Sequence, residues 1–263
     1  MTTVVETIRE ANDAGRGVLV GYLPAGFPSV SDCVDAIVAL AKGGADVIEL
    51  GIPYSDPVMD GIVIQEATTA SLDAGFRVRD TFGIIRSVRE QVDVPILVMT
   101  YWNPVVQYGV DRFAQELKES GGAGIITPDL IPDEAHEWIE ASDKYDLERV
   151  FLAAPSSTDE RLRSAVDNST GFVYAVSTMG ITGARDDVDS AARTLVARLR
   201  SVGAQTVCVG LGISTAEQVS DVCSYADGAI VGSFLVSALS RGGADDVSGA
   251  AKALTLGTTR LTA

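Results

Sequence analysis

Two carboxylates sit eleven positions apart in the segment Glu-Leu-Gly-Ile-Pro-Tyr-Ser-Asp-Pro-Val-Met-Asp, which runs from Glu49 to Asp60. Glu49 ends an apolar run (45–50) that reads as a buried strand, and Asp60 lies in the Gly/Pro/Ser/Asp-rich stretch that follows. A fold that offers both groups to one mouth has the makings of acid/base chemistry. The more buried carboxyl is pushed toward its neutral form, while the wetter one stays ionised. The competing structural reading is that Glu49 satisfies loop amides and Asp60 caps the helical pattern resuming near Ile64.

The other chemically capable residues narrow the choice. The single histidine, His136, falls in a predicted surface helix, so neither a Ser-His-Asp triad nor a multi-histidine metal site is expected. The four lysines, Lys42, Lys118, Lys144 and Lys252, all fall in helical patterns away from strand ends, which leaves no candidate for a Schiff base. Cys33, Cys208 and Cys223 are odd in number, lack metal-like spacing and read as buried free thiols in a reducing cytoplasm. Carboxylate and tyrosine remain for proton transfer.

The elements that must position these groups form an alternation of short β-branched runs and longer amphipathic segments. Eight apolar runs (17–22, 45–50, 95–100, 124–127, 150–153, 172–177, 206–210 and 228–231) alternate with helical patterns such as 30–42, 79–91, 110–120, 133–144, 190–202 and 215–223. Residues 4–11 read as an extra helix ahead of the first strand, placed to close the bottom of a barrel. A chain of 263 residues with 46% hydrophobic content suits one (β/α)8 TIM-barrel domain spanning 1–263, with no linker-like break. An open doubly wound sheet is the alternative; against it, the loop after the first strand (22–29) carries no dinucleotide fingerprint. No stretch is apolar enough to span a bilayer, and the first residues do not resemble a secretory signal; a cytoplasmic protein is expected. A formal net charge of −16 argues against nucleic acid or an anionic membrane as partner.

In a barrel of this type the reactive groups lie at the C-terminal ends of strands. Those ends supply Tyr22, Glu49, a Thr-Tyr-Trp-Asn-Pro string around Tyr101 and Asn103, Tyr174, and two Gly-rich turns. The turns are Gly-Leu-Gly-Ile-Ser (210–214) and the segment ending in Gly232 and Ser233. Glycines between a strand and a helix let amides approach a ligand, and helix N-termini favour negative charge, so these turns are a candidate phosphate cradle. Neutral amides there would hold an anion on an acidic protein. A further loop, 177–187, with Thr182, Gly183 and Arg185, could serve as a lid or be an ordinary surface connection.

Taken together, these strings resemble one family, the α subunit of tryptophan synthase, nearly end to end. The 49–65 segment is its most specific mark, followed in matching order by the strings at 101–104, 128–130, 171–174, 180–183, 210–214 and 228–233. The resemblance implies retro-aldol cleavage of indole-3-glycerol phosphate to indole and glyceraldehyde 3-phosphate. It implies Glu49 as proton shuttle and Asp60 as acceptor of the indole N–H, with Tyr22, Tyr101, Tyr174, Thr182, Leu211 and Ile213 around the pocket. Gly183, Gly212, Gly232 and Ser233 would hold the phosphate. It further implies no cofactor or metal in this chain, and a β subunit carrying pyridoxal phosphate in an αββα assembly, contacted through Pro53, Asp56, Met59 and Asn103. Met59, Ile62, Phe27 and Leu211 depart from the residues usual at their positions; none replaces a reacting group.

Overall fold

The computed structural model describes residues 2–176, 185–210 and 212–260, with only the backbone at 185–189. Eight parallel strands, β1 (Val18–Pro24), β2 (Val47–Gly51), β3 (Ile96–Met99), β4 (Gly124–Thr127), β5 (Glu148–Ala153), β6 (Val173–Val176), β7 (Val207–Gly210) and β8 (Gly228–Val231), follow one another around a closed barrel. Closure is made where Val18–Gly21 of β1 pairs with Gly228–Val231 of β8. The open-sheet alternative is thereby excluded.

Side chains alternate between the barrel interior and the helical jacket, as the strand period requires. Val18, Val20, Val47, Leu97, Val150 and Phe172 belong to the interior cluster. Residues one position away, such as Leu19, Ile48, Ile96 and Phe151, pack outward against the helices. Those helices include α2 (Val30–Lys42), α3 (Ile62–Asp73), α4 (Val78–Arg89), α5 (Trp102–Tyr108), α6 (Val110–Ser120), α7 (His136–Tyr145), α8 (Asp159–Asn168), α9 (Arg185–Ser201), α10 (Ala216–Cys223) and α11 (Ser233–Thr255). α11 breaks at Gly242 and Gly243, the second with φ +66°, a conformation that a side chain resists.

The expected extra helix is α1 (Val4–Asp13), and it plugs the barrel floor. Its Val4, Ile8 and Ala11 join the interior cluster, a spacing that puts all three on one face. Its first amides are all taken: Glu6 N–H by the Thr3 hydroxyl, and Val4 and Val5 N–H by the Glu148 carboxylate at 2.8 and 3.1 Å. Among the described residues no helix is long and apolar enough to cross a membrane. All three cysteines are buried and unpaired, as their spacing suggested.

Candidate active site

Strand β2 carries Glu49 into the upper barrel. Alternation from Val47 aims the side chain inward, and the residue is 1% exposed. Its Oε2 has no hydrogen-bond partner among the described residues. Burial first, and the charge of Asp60 second, push the Glu49 carboxyl up to about 8, so it holds its proton at neutral pH. Asp60 lies in the loop between β2 and α3. It is only partly buried; burial raises its carboxyl, and the Tyr101 hydroxyl pulls it back down. The two carboxylates therefore meet in one mouth with unequal environments, a division that suits one group to give a proton and the other to stay charged. The reading of Asp60 as a helix cap does not hold: α3 begins after Gly61 with no capping side chain.

Two tyrosines flank the pair. Tyr22 sits beside Glu49 in the β1/β2 register, and Tyr174 lies on β6. Both phenols are driven far above the ordinary range, by burial first and then by the carboxylates, so both stay neutral donors. Space for them comes from the neighbouring strand ends. A methyl group at Gly51 would strike the Tyr22 hydroxyl, and one at Gly210 would strike that of Tyr174. Tyr101 lies just past β3, 5% exposed, and Ile213 is buried beneath the turn after β7. Thr182, Gly183 and Leu211 lie outside the described residues.

The two Gly-rich turns differ in what they can offer an anion. Helix α10 closes its own start: Thr215 and Gln218 form a capping box, and Gln218 Oε1 also accepts from Ser214 N–H at 2.7 Å. Helix α11 begins at Ser233 with no capping side chain and no acidic residue in its first turn. Leu235 and Val236 N–H turn back to Gly232 O, which leaves the Ser233 and Phe234 amides and the helix dipole free of any side-chain cap, so the α11 start is the better candidate for a phosphate cradle. A methyl group at Gly232 would meet Tyr22 and Ile64 only at ordinary contact distance, so the surrounding packing alone does not require glycine there. Gly212 stands before the capped segment at φ +65°.

Of the residues expected at a partner surface, Asp56, Met59 and Asn103 are exposed, next to Val58 at 81% and Ile62 at 69%. Pro53 is a correction: it is buried, because the chain still follows the top of β2 there, and the exposed rim begins two residues later. His136 is exposed at the first position of α7, as expected.

Sequence reasoning missed Met99 and Leu152. Both face the interior cluster at the level of the site, one residue before the strand ends read from the sequence. Counting alternation forward from Leu97 and Val150 would have found them. It also missed that the Tyr101 hydroxyl accepts the N–H groups of Val58 and Met59, both at 3.0 Å, a contact that no spacing announces.

The comparisons agree with this geometry. The family model described as Tryptophan synthase alpha chain matches residues 8–261. A tryptophan synthase alpha chain of Leifsonia xyli subsp. xyli is 64% identical over 243 residues, 92% of this chain and 93% of that relative. One from Mycobacterium intracellulare is 54% identical, covering 88% and 85%. Among solved structures, a Mycobacterium tuberculosis tryptophan synthase chain matches with TM-score 0.93 at 47% identity over 100% of both chains. The tryptophan synthase α-subunit of Pyrococcus furiosus matches with TM-score 0.83 at 38% identity, over 91% and 98%. By identity along nearly its whole length, and by fold, this chain belongs to the tryptophan synthase alpha chain family.

Proposed function

We propose that the chain, acting as one barrel domain across 1–263 in the cytoplasm, cleaves indole-3-glycerol phosphate to indole and glyceraldehyde 3-phosphate. The observation that carries this reading is a buried carboxyl, one of whose oxygens has no hydrogen-bond partner among the described residues and which burial pushes up to about 8, next to a second carboxylate that stays wetter. Glu49 gives its proton to C3 of the indole ring, which places positive charge on the ring nitrogen. The bond from C3 to the glycerol carbon then breaks, and its electron pair returns to the ring. The hydroxyl on that carbon loses its proton to Glu49 as the carbon becomes an aldehyde. One proton is given and one received, so the enzyme ends as it began. Asp60 accepts the indole N–H and balances the charge that appears there, an interaction stronger in the transition state than in the ground state.

Tyr22, Tyr101, Tyr174 and Ile213, with Thr182 and Leu211, enclose the ring, and Gly183, Gly212, Gly232 and Ser233 receive the phosphate. No metal or cofactor enters this reaction. The partner is a β subunit carrying pyridoxal phosphate, which docks over the exposed rim at Asp56, Met59 and Asn103 and takes indole directly.

The test is indole release from indole-3-glycerol phosphate, with and without a β subunit, by wild type and by Glu49→Gln. Release that is raised by the β subunit and abolished by the substitution supports the reading. Full turnover without Glu49 contradicts it.

A further inference from the structure

The loop that carries Asp60 has almost no backbone support of its own. Among the described residues, Ile52 N–H donates to Met99 O, and the next backbone bonds appear at Ile64 and Gln65, whose N–H groups donate to Gly61 O. Between them the segment 53–60 is held by side chains. Gln65 Nε2 donates to Asp60 O at 2.7 Å, and Asn103 Nδ2 donates to the Tyr54 hydroxyl at 3.2 Å. The Val58 and Met59 N–H groups both donate to the Tyr101 hydroxyl. Tyr54 and Tyr101 also pack ring on ring, with centroids 5.3 Å apart.

A phenol has one O–H donor and two acceptor sites. Two loop amides occupy both acceptor sites of Tyr101, which leaves only its proton to give. We propose that Tyr101 is the positioning residue for Asp60: its oxygen gathers the Val58 and Met59 amides and its proton is directed to the Asp60 carboxylate, so that the 53–60 loop and the start of α5 form a single latch. The inference rests on the role proposed above for Asp60, and it adds how that carboxylate is placed and kept ionised.

The electrostatics run the same way. The Tyr101 hydroxyl lowers the Asp60 carboxyl against the pull of burial. Among the described residues, the charged and titratable groups facing this pair are Glu49 on β2, the neutral phenol of Tyr22 on β1 and Tyr54, whose ring packs on Tyr101 and whose hydroxyl accepts from Asn103. None of them takes the place of Tyr101: Glu49 is a like charge when ionised, and among the described residues the Val58 and Met59 amides donate to the Tyr101 hydroxyl, not to Tyr22 or Tyr54. The latch extends outward as well. Tyr101 precedes α5, whose first residue, Trp102, donates its N–H to the Asp129 carboxylate at 2.9 Å, and whose second, Asn103, holds Tyr54. Displacement of the exposed start of α5 is thereby transmitted to Asp60 through two aromatic rings.

The experiment compares wild type with Tyr101→Phe, which keeps the ring and removes the hydroxyl. Two readouts need no substrate: hydrogen exchange at the Val58 and Met59 amides, and the NMR titration of the Asp60 carboxyl. In the variant the two amides exchange at least about tenfold faster, because each loses its acceptor. Asp60 titrates at a higher pH than in wild type. With substrate, kcat falls about 10- to 100-fold while KM moves less than about threefold, and the acid limb of kcat shifts to higher pH. Asn103→Ala, which spares Tyr101, speeds exchange at the same two amides by a smaller factor and guards against a folding failure of the first variant. Unchanged amide exchange, or an unchanged Asp60 titration in folded Tyr101→Phe, overturns the latch. A wild-type chain that shows protected amides but releases no indole would refute the proposed reaction and leave the latch intact.

Discussion

The floor and the mouth of this barrel treat buried carboxylates in opposite ways. At the floor, Asp227 accepts from Val207 N–H at 2.7 Å, from Asn12 Nδ2 at 3.0 Å and from Arg200. Asp46 accepts from Leu19 N–H and from Arg16, both at 2.9 Å. Glu148 takes two helix amides; burial raises its carboxyl, and those amides pull it part of the way back. At the mouth, Glu49 is as buried as any of these, yet among the described residues its Oε2 has no partner and no arginine or amide offsets its desolvation. Paired carboxylates hold a structure together, whereas an unpaired one costs stability and keeps a proton to spend. The difference separates a structural end of the fold from a reactive one.

Glu49→Gln should cause the largest effect, and of opposite sign in the two properties. Turnover falls by at least about 10²–10⁴-fold. Stability rises near pH 8, because a carboxyl raised to about 8 in the folded state and ordinary in the unfolded state weakens folding as pH climbs through that window. The gain is on the order of a few kcal/mol above pH 8 and vanishes below about pH 4, where both states are protonated; denaturant melts across pH measure it. Asp60→Asn should lower kcat by about 10²-fold or more, with a smaller change in KM, read by steady-state indole release. Asp227→Asn at the floor should do the reverse: a loss of about 2–4 kcal/mol in denaturant stability, with kcat of the folded fraction near wild type. If that substitution abolished turnover in folded protein, the division between floor and mouth would fail. Gly232→Val should have the mildest effect, weakening glycerol-phosphate ligands in calorimetry while leaving free indole nearly untouched.

Much of this was legible in the sequence because periodicity encodes it directly. Alternating β-branched runs marked all eight strands, and the helical pattern at 4–11 announced the floor plug, whose Val4, Ile8 and Ala11 the structure then places on one buried face. The placement of Glu49 on the second strand followed from the same pattern, although β2 runs on two residues past it, to Gly51. What escaped depends on contacts between distant segments. Nothing in the spacing of Gly210 or Gly51 says that a tyrosine from the preceding strand leans over it, and nothing near Val58 names Tyr101 as its acceptor, forty-three residues away. The burial of Pro53 was missed because a proline at the start of a polar loop looks exposed, whereas the chain has not yet left the top of the barrel. The unequal helix starts at α10 and α11 were in principle readable, since the Thr215/Gln218 capping box is a local signature.

The most direct measurement is the titration of Glu49 itself, by difference infrared spectroscopy of wild type against Glu49→Gln in the substrate-free chain. A protonated-carboxyl band that belongs to Glu49, persists at pH 7 and disappears only as pH passes about 8 is expected. A Glu49 that has lost its proton by pH 5, as an ordinary solvated glutamate does, would contradict the central claim that the mouth of this barrel keeps a buried carboxyl unpaired in order to hold a proton for transfer.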